Sequence, residues 1–427
     1  MKLTYNIHAH SFKISLALLL MCSFAHIASA ASAATNNILT FPGSKTANIG
    51  IIIRDLSNGD DLISRNPDKQ LTPASILKCV TAASVLLDGR ENDNFVTESF
   101  VAGNIDNDGK LWGNLVVKGV GDPTTESPQF PEYCGITDSI ASRLNKLGIR
   151  EICGDVQIDS LQFKEAGPIR HWETDDLQWY YGAGLYPVNY HDNTQGVDRS
   201  IRRPVTRFIK EVKARLAKDS ITISRNGNSI IYPDVKMIYA HQSPSAAQIM
   251  RIMLEQSNNL YAESMLRFLA PLGTIADALA KERTLLNIAG LNTEKLIAYD
   301  GSGLTRNSKL TPAFMADLLE TMSIGDKANL YLSLFPKAGL EGTVKKLLKD
   351  TPLAGKLLLK SGSMKGVQCF AGYKINDEGK PSHVVVIMVN DFTCQRATVI
   401  KAISNMLLEQ FKDETTTQQS ETQNTQS

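Results

Sequence analysis

The stretch TPASILKCVTAASVLL, residues 72–87, places a serine and a lysine one helical turn apart at the start of an apolar segment. Thr72 suits an N-cap and Pro73 a first helical position, while Ile76, Leu77, Val80, Ala83, Leu86 and Leu87 recur at helical spacing. Ser75 therefore falls in the first turn. Lys78, three positions on, shares its face and reaches toward the Ser75 hydroxyl. An ammonium inside an apolar segment is costly unless it is paired, functional or deprotonated. The alternative is a lysine whose stem lies along apolar surface while its head stays in water, beside an ordinary first-turn serine. Two residues do not decide between these readings; the rest of the chain does.

The 427 residues provide material for a large core and for two or more domains. A balance of 45 Lys and Arg against 44 Asp and Glu leaves a net charge of +1, which gives no reason to expect nucleic acid as a partner. Lys2 and Lys13 precede the apolar run ISLALLLMCSFA and then Ala28-Ser29-Ala30 or Ala31-Ser32-Ala33. This is the three-part pattern of a secretory signal peptide, placed at 1–30, and the run is short for a membrane span. It implies export to the periplasm with at most peripheral membrane association. An uncleaved anchor and a lipoprotein through Cys22 are the alternatives. Removal of the signal leaves Cys79, Cys134, Cys153, Cys369 and Cys394. In an exported chain Cys134 and Cys153 are the first pair expected to form a disulfide, and Cys79, next to Lys78, is expected to stay free. No cysteine or histidine spacing makes a zinc site, no phosphate-binding glycine loop is present, and no cofactor is expected.

ANIGIIIRDL and DLISRN flank the turn signal SNGD and read as an antiparallel hairpin leading to the Ser75 helix. KLLLKSGS, GVQCFAGYKI and SHVVVIMV read as three strands near the other end, followed by a closing amphipathic helix, ATVIKAISNMLLEQF. Both chain ends thus contribute to one sheet. Residues 91–235, with short strands and many turn residues, are expected to form a β-rich inserted domain within a discontinuous domain of residues 31–90 and 236–412. Residues 413–427 hold no apolar side chain and are expected to be a disordered tail.

Three short motifs stand in order: Ser75-Ile-Leu-Lys78, Ser257-Asn258-Asn259 and Lys360-Ser361-Gly362. The first opens a helix, the second lies between helices and the third ends a strand. On these residues the chain resembles the penicillin-binding proteins and serine β-lactamases. It is most similar to the class C, type-4 penicillin-binding proteins, D-alanyl-D-alanine carboxypeptidases and endopeptidases with a long insert between the first two motifs. The segments GDPT (121–124), DDLQWYYGA (175–183), DGSGLTR (300–306) and FAGY (370–373) extend the resemblance over about 45–410. The third motif continues SMK, so Lys365 stands where the family pattern has an uncharged polar residue, and the insert is short for the family. The resemblance implies an α/β (α+β) fold: a central antiparallel sheet flanked by helices, plus the inserted domain.

It also implies roles. A serine hydroxyl needs an adjacent base, and a lysine serves only when its pKa falls, through burial and a second cation such as Lys360. Lys78 would then take the proton as Ser75 attacks. Ser257 would relay a proton to the leaving amine, and Asn259 would bind the substrate amide and orient Lys78. Lys360 and Ser361 would bind the terminal carboxylate, Gly362 would let the strand approach the substrate, and the N–H groups of Ser75 and Ser363 would form the oxyanion hole. Asp122, Arg306 and Lys365 would line a pocket for a diaminopimelate-type side chain. The expected ligands are peptidoglycan stem peptides, with β-lactams as inhibitors. A serine β-lactamase and a catalytically silent peptidoglycan-binding scaffold are the competing functions. Asn258 reads as a helix-boundary residue; GDPT and DGSG also fit ordinary turns. His171, His191, His241 and His383 are scattered and serve no G-x-S-x-G elbow.

Overall fold

β-Branched side chains dominate NIGIIIRD and PSHVVVIMVN, and the two segments pair antiparallel as neighbouring strands from opposite ends of the chain. The computed structural model describes residues 39–225 and 234–412; the expected signal peptide and the expected tail lie outside them. The first sheet contains β1 (Asn48–Asp55), β2 (Asp61–Arg65), β11 (Leu357–Met364), β12 (Val367–Ile375) and β13 (Pro381–Asn390), in the order β11-β12-β13-β1-β2. The hairpin, the three late strands and their shared sheet are as the sequence predicts. Strand alternation divides the core into two layers. Ile49, Ile51, Ile53, Val385, Ile387 and Val389 pack with Val399, Ile403 and Leu407 of the closing helix. Ile52, Val384, Val386 and Met388 face the layer that holds the Ser75 helix.

The helices are α1 (Lys78–Leu87), α2 (Ile136–Lys146), α3 (Pro204–Lys218), α4 (Ala246–Glu255), α5 (Asn259–Phe268), α6 (Ile275–Ile288), α7 (Pro312–Met322), α8 (Ala328–Ser333) and α9 (Arg396–Gln410). A Cβ at Gly50 would stand 2.5 Å from the Pro312 ring, so α7 docks against β1 because no side chain intervenes. Val80, Val85 and Leu86 of α1 are fully buried, each worth about 1.5–3 kcal/mol relative to exposure.

A second sheet contains β3 (Asn94–Ile105), β4 (Lys110–Lys118), β5 (Glu151–Ile152), β9 (Thr222–Ile223) and β10 (Val235–Ser245), with β6 (Val156–Asp159) also paired to β4. Val101, Leu111, Leu115 and Val117 on one of its faces pack against Ile140 and Leu144 of α2 and Phe208, Val212 and Leu216 of α3. β7 (Thr194–Gln195) and β8 (Arg199–Ser200) form a separate ribbon. The architecture is the expected mixed α/β one.

The expected Cys134–Cys153 disulfide is not formed, and all five described cysteines are free thiols. Cys153 is buried just after β5. Cys134 lies exposed after the 3₁₀ turn Pro131–Tyr133, its thiol turned to the carbonyls of Ser127 and Phe130. Proximity in sequence placed the two on different elements.

Candidate active site

The Ser75 turn is held by three separate segments. Asn390, the last residue of β13, accepts the Thr72 N–H at 2.7 Å and donates to the Thr72 carbonyl at 3.1 Å. Thr72 is thus clamped in an extended link and is not the N-cap. The turn opens instead as 3₁₀ over Ala74–Leu77 after Pro73, and α1 begins at Lys78. Ala74 adopts a left-handed φ of 48°, which costs a non-glycine residue about 1–3 kcal/mol and persists only where packing fixes it. Packing does so here. A Cβ at Gly303 would lie 2.0 Å from the Ala74 carbonyl oxygen, and one at Gly362 would lie 2.7 Å from the Pro73 oxygen and 3.0 Å from the Ser75 nitrogen. The glycine of the third motif therefore lets β11 close on the Ser75 turn, a different reason from the substrate approach expected.

Within this frame Lys78 is fully buried. Its Nζ lies 2.9 Å from Ser75 Oγ, 2.7 Å from Asn259 Oδ1 and 2.7 Å from the Ser302 carbonyl oxygen. A lysine with its head in water is excluded. Burial pulls Lys78 down to about 7, against the attraction of Glu263 and Asp300. Lys360 is depressed as well: burial first, then repulsion from Lys78, holds it well below the usual lysine range. Lys360 is itself fully buried, and its Nζ donates to the Ser361 carbonyl at 2.6 Å.

Behind Lys78 stands a layer of acids. Glu263, on the buried side of α5, accepts the N–H of Gly301 at 3.0 Å and that of Ser302 at 2.9 Å. Asp300 accepts from the Gly303 and Thr305 N–H groups, the Thr305 hydroxyl and Trp172 Nε1. The two carboxylates fix the DGSGLT loop so that the Ser302 carbonyl meets Lys78. Burial and the charge of Asp300 push Glu263 up to about 8, and burial with repulsion from Glu263 does the same for Glu282 of α6. None of these three acids was singled out as catalytic support by its sequence pattern.

Ser257 stands between α4 and α5 with a φ of 59° and lines the cleft. Asn258 caps α5 by accepting the Tyr261 N–H, as its boundary position predicts. Asn259 Nδ2 donates to the Tyr181 carbonyl at 2.8 Å, so the DDLQWYYGA segment forms the wall beside it. Ser361 shares a 2.7 Å hydrogen bond with Thr343, a partner that no sequence motif marks. The cleft, of about 640 Å³, is lined by Ser75, Ser257, Asn259, Ser361 and Ser363 and also by Arg306 and Lys365. Arg306 Nη1 donates to the Lys365 carbonyl at 3.3 Å. Asp122 does not join them. It is 1 % exposed and outside the cleft, with Oδ1 accepting the N–H and hydroxyl of Thr124, and burial pushes it up to about 6. The structure brings ten of the eleven expected residues to or directly behind the cleft and leaves Asp122 in the turn chemistry of GDPT.

A buried serine–lysine pair at the base of a mixed α/β cleft defines a serine hydrolase of the penicillin-recognising kind. The chain belongs to the D-Ala-D-Ala carboxypeptidase 3 (S13) family, whose model matches residues 31–198 and 184–410. It is 23% identical to the D-alanyl-D-alanine carboxypeptidase of Actinomadura sp. (strain R39), over 82% of this chain and 79% of that one. Among solved structures, penicillin binding protein 4 of Haemophilus influenzae superposes with a TM-score of 0.76 at 20% identity, covering 89% of this chain and 99% of that one. The penicillin G-acylated predatory endopeptidase Bd3459 of Bdellovibrio bacteriovorus superposes with a TM-score of 0.54 at 18% identity, covering 86% and 93%. Family and fold are those of the class C, type-4 penicillin-binding proteins.

Proposed function

We propose that the protein is a serine D-alanyl-D-alanine carboxypeptidase/endopeptidase that acts on peptidoglycan stem peptides in the periplasm and is acylated by β-lactams. The observation that carries the proposal is Lys78: a buried amine 2.9 Å from Ser75 Oγ, with a pKa brought to about 7. Lys78 takes the hydroxyl proton as Ser75 Oγ bonds to the scissile carbonyl carbon. The Ser75 and Ser363 N–H groups receive the developing oxyanion, each donor of this kind being worth about 10²–10³ in rate. The carbon–nitrogen bond breaks, Ser257 passes a proton to the departing amine, and water hydrolyses the acyl-enzyme. Ser361 and Thr343 present hydroxyls to the terminal carboxylate, with the Lys360 amine behind them.

Family membership and the relatives' carboxypeptidase names support the peptidase over the β-lactamase, and the complete set of three motifs argues against a silent scaffold. The apolar N-terminal run supports export. Among the described residues no helix is long and apolar enough to cross a membrane. The test is mass spectrometry after exposure to benzylpenicillin, with Ser75→Ala as the paired variant, followed by incubation with purified peptidoglycan. A stable adduct on the Ser75 peptide, its loss in the folded variant and release of free D-alanine are expected. Labelling that survives Ser75→Ala, or rapid penicillin turnover without D-alanine release, overturns the proposal.

A further inference from the structure

The charges of the chain balance as a whole but not along its length. Residues 199–218, which run from strand β8 through helix α3, hold eight Lys and Arg against one acid, Glu211. Three of the eight are paired: Arg207 with Glu211, Lys213 with Asp155, and Arg215 with Asp138 and Asp219. Arg202, Arg203, Lys210 and Lys218 are exposed and form no ion pair among the described residues. α3 buries Pro204, Phe208, Val212 and Leu216, so its solvent side presents Arg203, Arg207 and Lys210 as one stripe at i, i+4 and i+7.

This basic face is joined to the wall of the catalytic cleft. The Tyr180 N–H donates to the Asp198 carbonyl at 2.8 Å, Ser200 Oγ donates to the Leu177 carbonyl at 2.7 Å, and the Arg199 guanidinium lies 4.0 Å from the centre of the Trp179 ring. Asp176, Tyr180 and Tyr181 of the same segment line the cleft. Leu177 and Gln178, which lie between them in sequence, line a separate hollow of about 540 Å³ with Ser200 and Arg202. Arg207 lines another, of about 240 Å³, with Gln195 and Gly196 of the ribbon.

We infer that the face formed by the β7–β8 ribbon and the solvent side of α3 is a docking surface for the polymeric substrate, from which the cleft takes one stem at a time. Stem peptides carry free carboxylates along the whole polymer, so the uncleaved neighbours of a bound stem are anionic. Unpaired cations beside the cleft raise the local concentration of such a polymer, and they do so less as salt rises. A bilayer fits this face less well. Residues 191–218 expose one large apolar side chain, Val197, whereas an interfacial anchor needs a continuous apolar face beside its basic one. The inference rests on the DD-peptidase reading of the cleft and adds a contact outside it that takes no part in the chemistry.

The test measures co-sedimentation of the mature protein with purified sacculi, and compares kcat/KM on sacculi with kcat/KM on a soluble pentapeptide stem. Arg203→Glu/Lys210→Glu reverses two exposed charges that have no ion-pair partner, and Arg203→Lys/Lys210→Arg keeps them. The Kd of the wild type for sacculi should rise about tenfold between about 20 and 200 mM salt, and by at least as much when the sacculus carboxylates are amidated. The charge-reversed variant should lose about tenfold in Kd and in kcat/KM on sacculi, chiefly through KM, and change less than about twofold on the soluble stem. The conservative variant should match the wild type on both. An equal loss on both substrates, unaltered binding to amidated sacculi, or attachment to phosphatidylglycerol vesicles in place of sacculi overturns the inference. A wild-type protein that takes up penicillin and releases D-alanine from the soluble stem without binding sacculi overturns this inference alone. One that neither takes up penicillin nor releases D-alanine overturns the peptidase reading itself.

Discussion

Glu263 receives the backbone N–H of Ser302 at 2.9 Å, and the carbonyl of that same serine accepts Lys78 Nζ at 2.7 Å. A carboxylate that touches no substrate thereby sets the position of the base and supplies part of its counter-charge. The charged and titratable groups around Lys78 are Glu263, Asp300, Cys79 and Lys360. Of these, Glu263, Asp300 and Cys79 raise its pKa.

Glu263→Gln keeps the shape but removes the charge and one of the two acceptors. Lys78 should then titrate below about 7, and the ascending limb of penicillin acylation should move to lower pH. The plateau rate should fall about tenfold as the 301–302 backbone loosens. Stopped-flow acylation across pH 5–9 measures both; a lower plateau with an unmoved limb would mean that Glu263 is purely structural.

In the wild type, acylation should rise through about pH 7 as Lys78 loses its proton. Lys78→Arg, which stays protonated, should be nearly inactive at every pH, and its permanent buried charge should lower thermal stability as well. The same depressed pKa has a stability consequence. Between about 7 and 10.5 the unfolded chain holds the Lys78 proton more tightly than the native one, so this residue's contribution to stability rises with pH there.

Glu282 acts in the opposite sense. It is buried, its Oε2 has no hydrogen-bond partner, and its pKa is raised from 4.5 to about 8. The native state thus binds the proton more tightly, so the contribution is present below about 4.5 and is lost as pH rises through about 8. Glu282→Gln should flatten the fall in Tm between pH 5 and 8, with an effect of at most about 1.4 kcal/mol per pH unit. Calorimetry that gives parallel curves for the two proteins would refute this assignment.

The sheet and the three motifs were legible because each rests on local pattern. β-Branched runs bounded by SNGD and NDEGKP are sufficient to define strands, and Ser-x-x-Lys needs only helical spacing. What was illegible depends on distant segments meeting. Thr72 has the chemistry of an N-cap, but Asn390 occupies its backbone before it can act as one. Glu263 looks like one more polar residue on an amphipathic helix until the 301–302 backbone packs on it. Asp122 carries the charge that a substrate pocket needs, yet Thr124 turns that charge inward.

The Asn390 clamp on Thr72 also joins the two ends of the chain at the site. Three anchors hold the Ser75 turn, and two of them, Gly362 and Asn390, lie in the last quarter of the chain. Without those strands, the Gly303 contact is the one anchor left on the Ala74 turn. The cleft is therefore complete only where β11 and β13, from the end of the chain, have closed on the turn that follows its first hairpin.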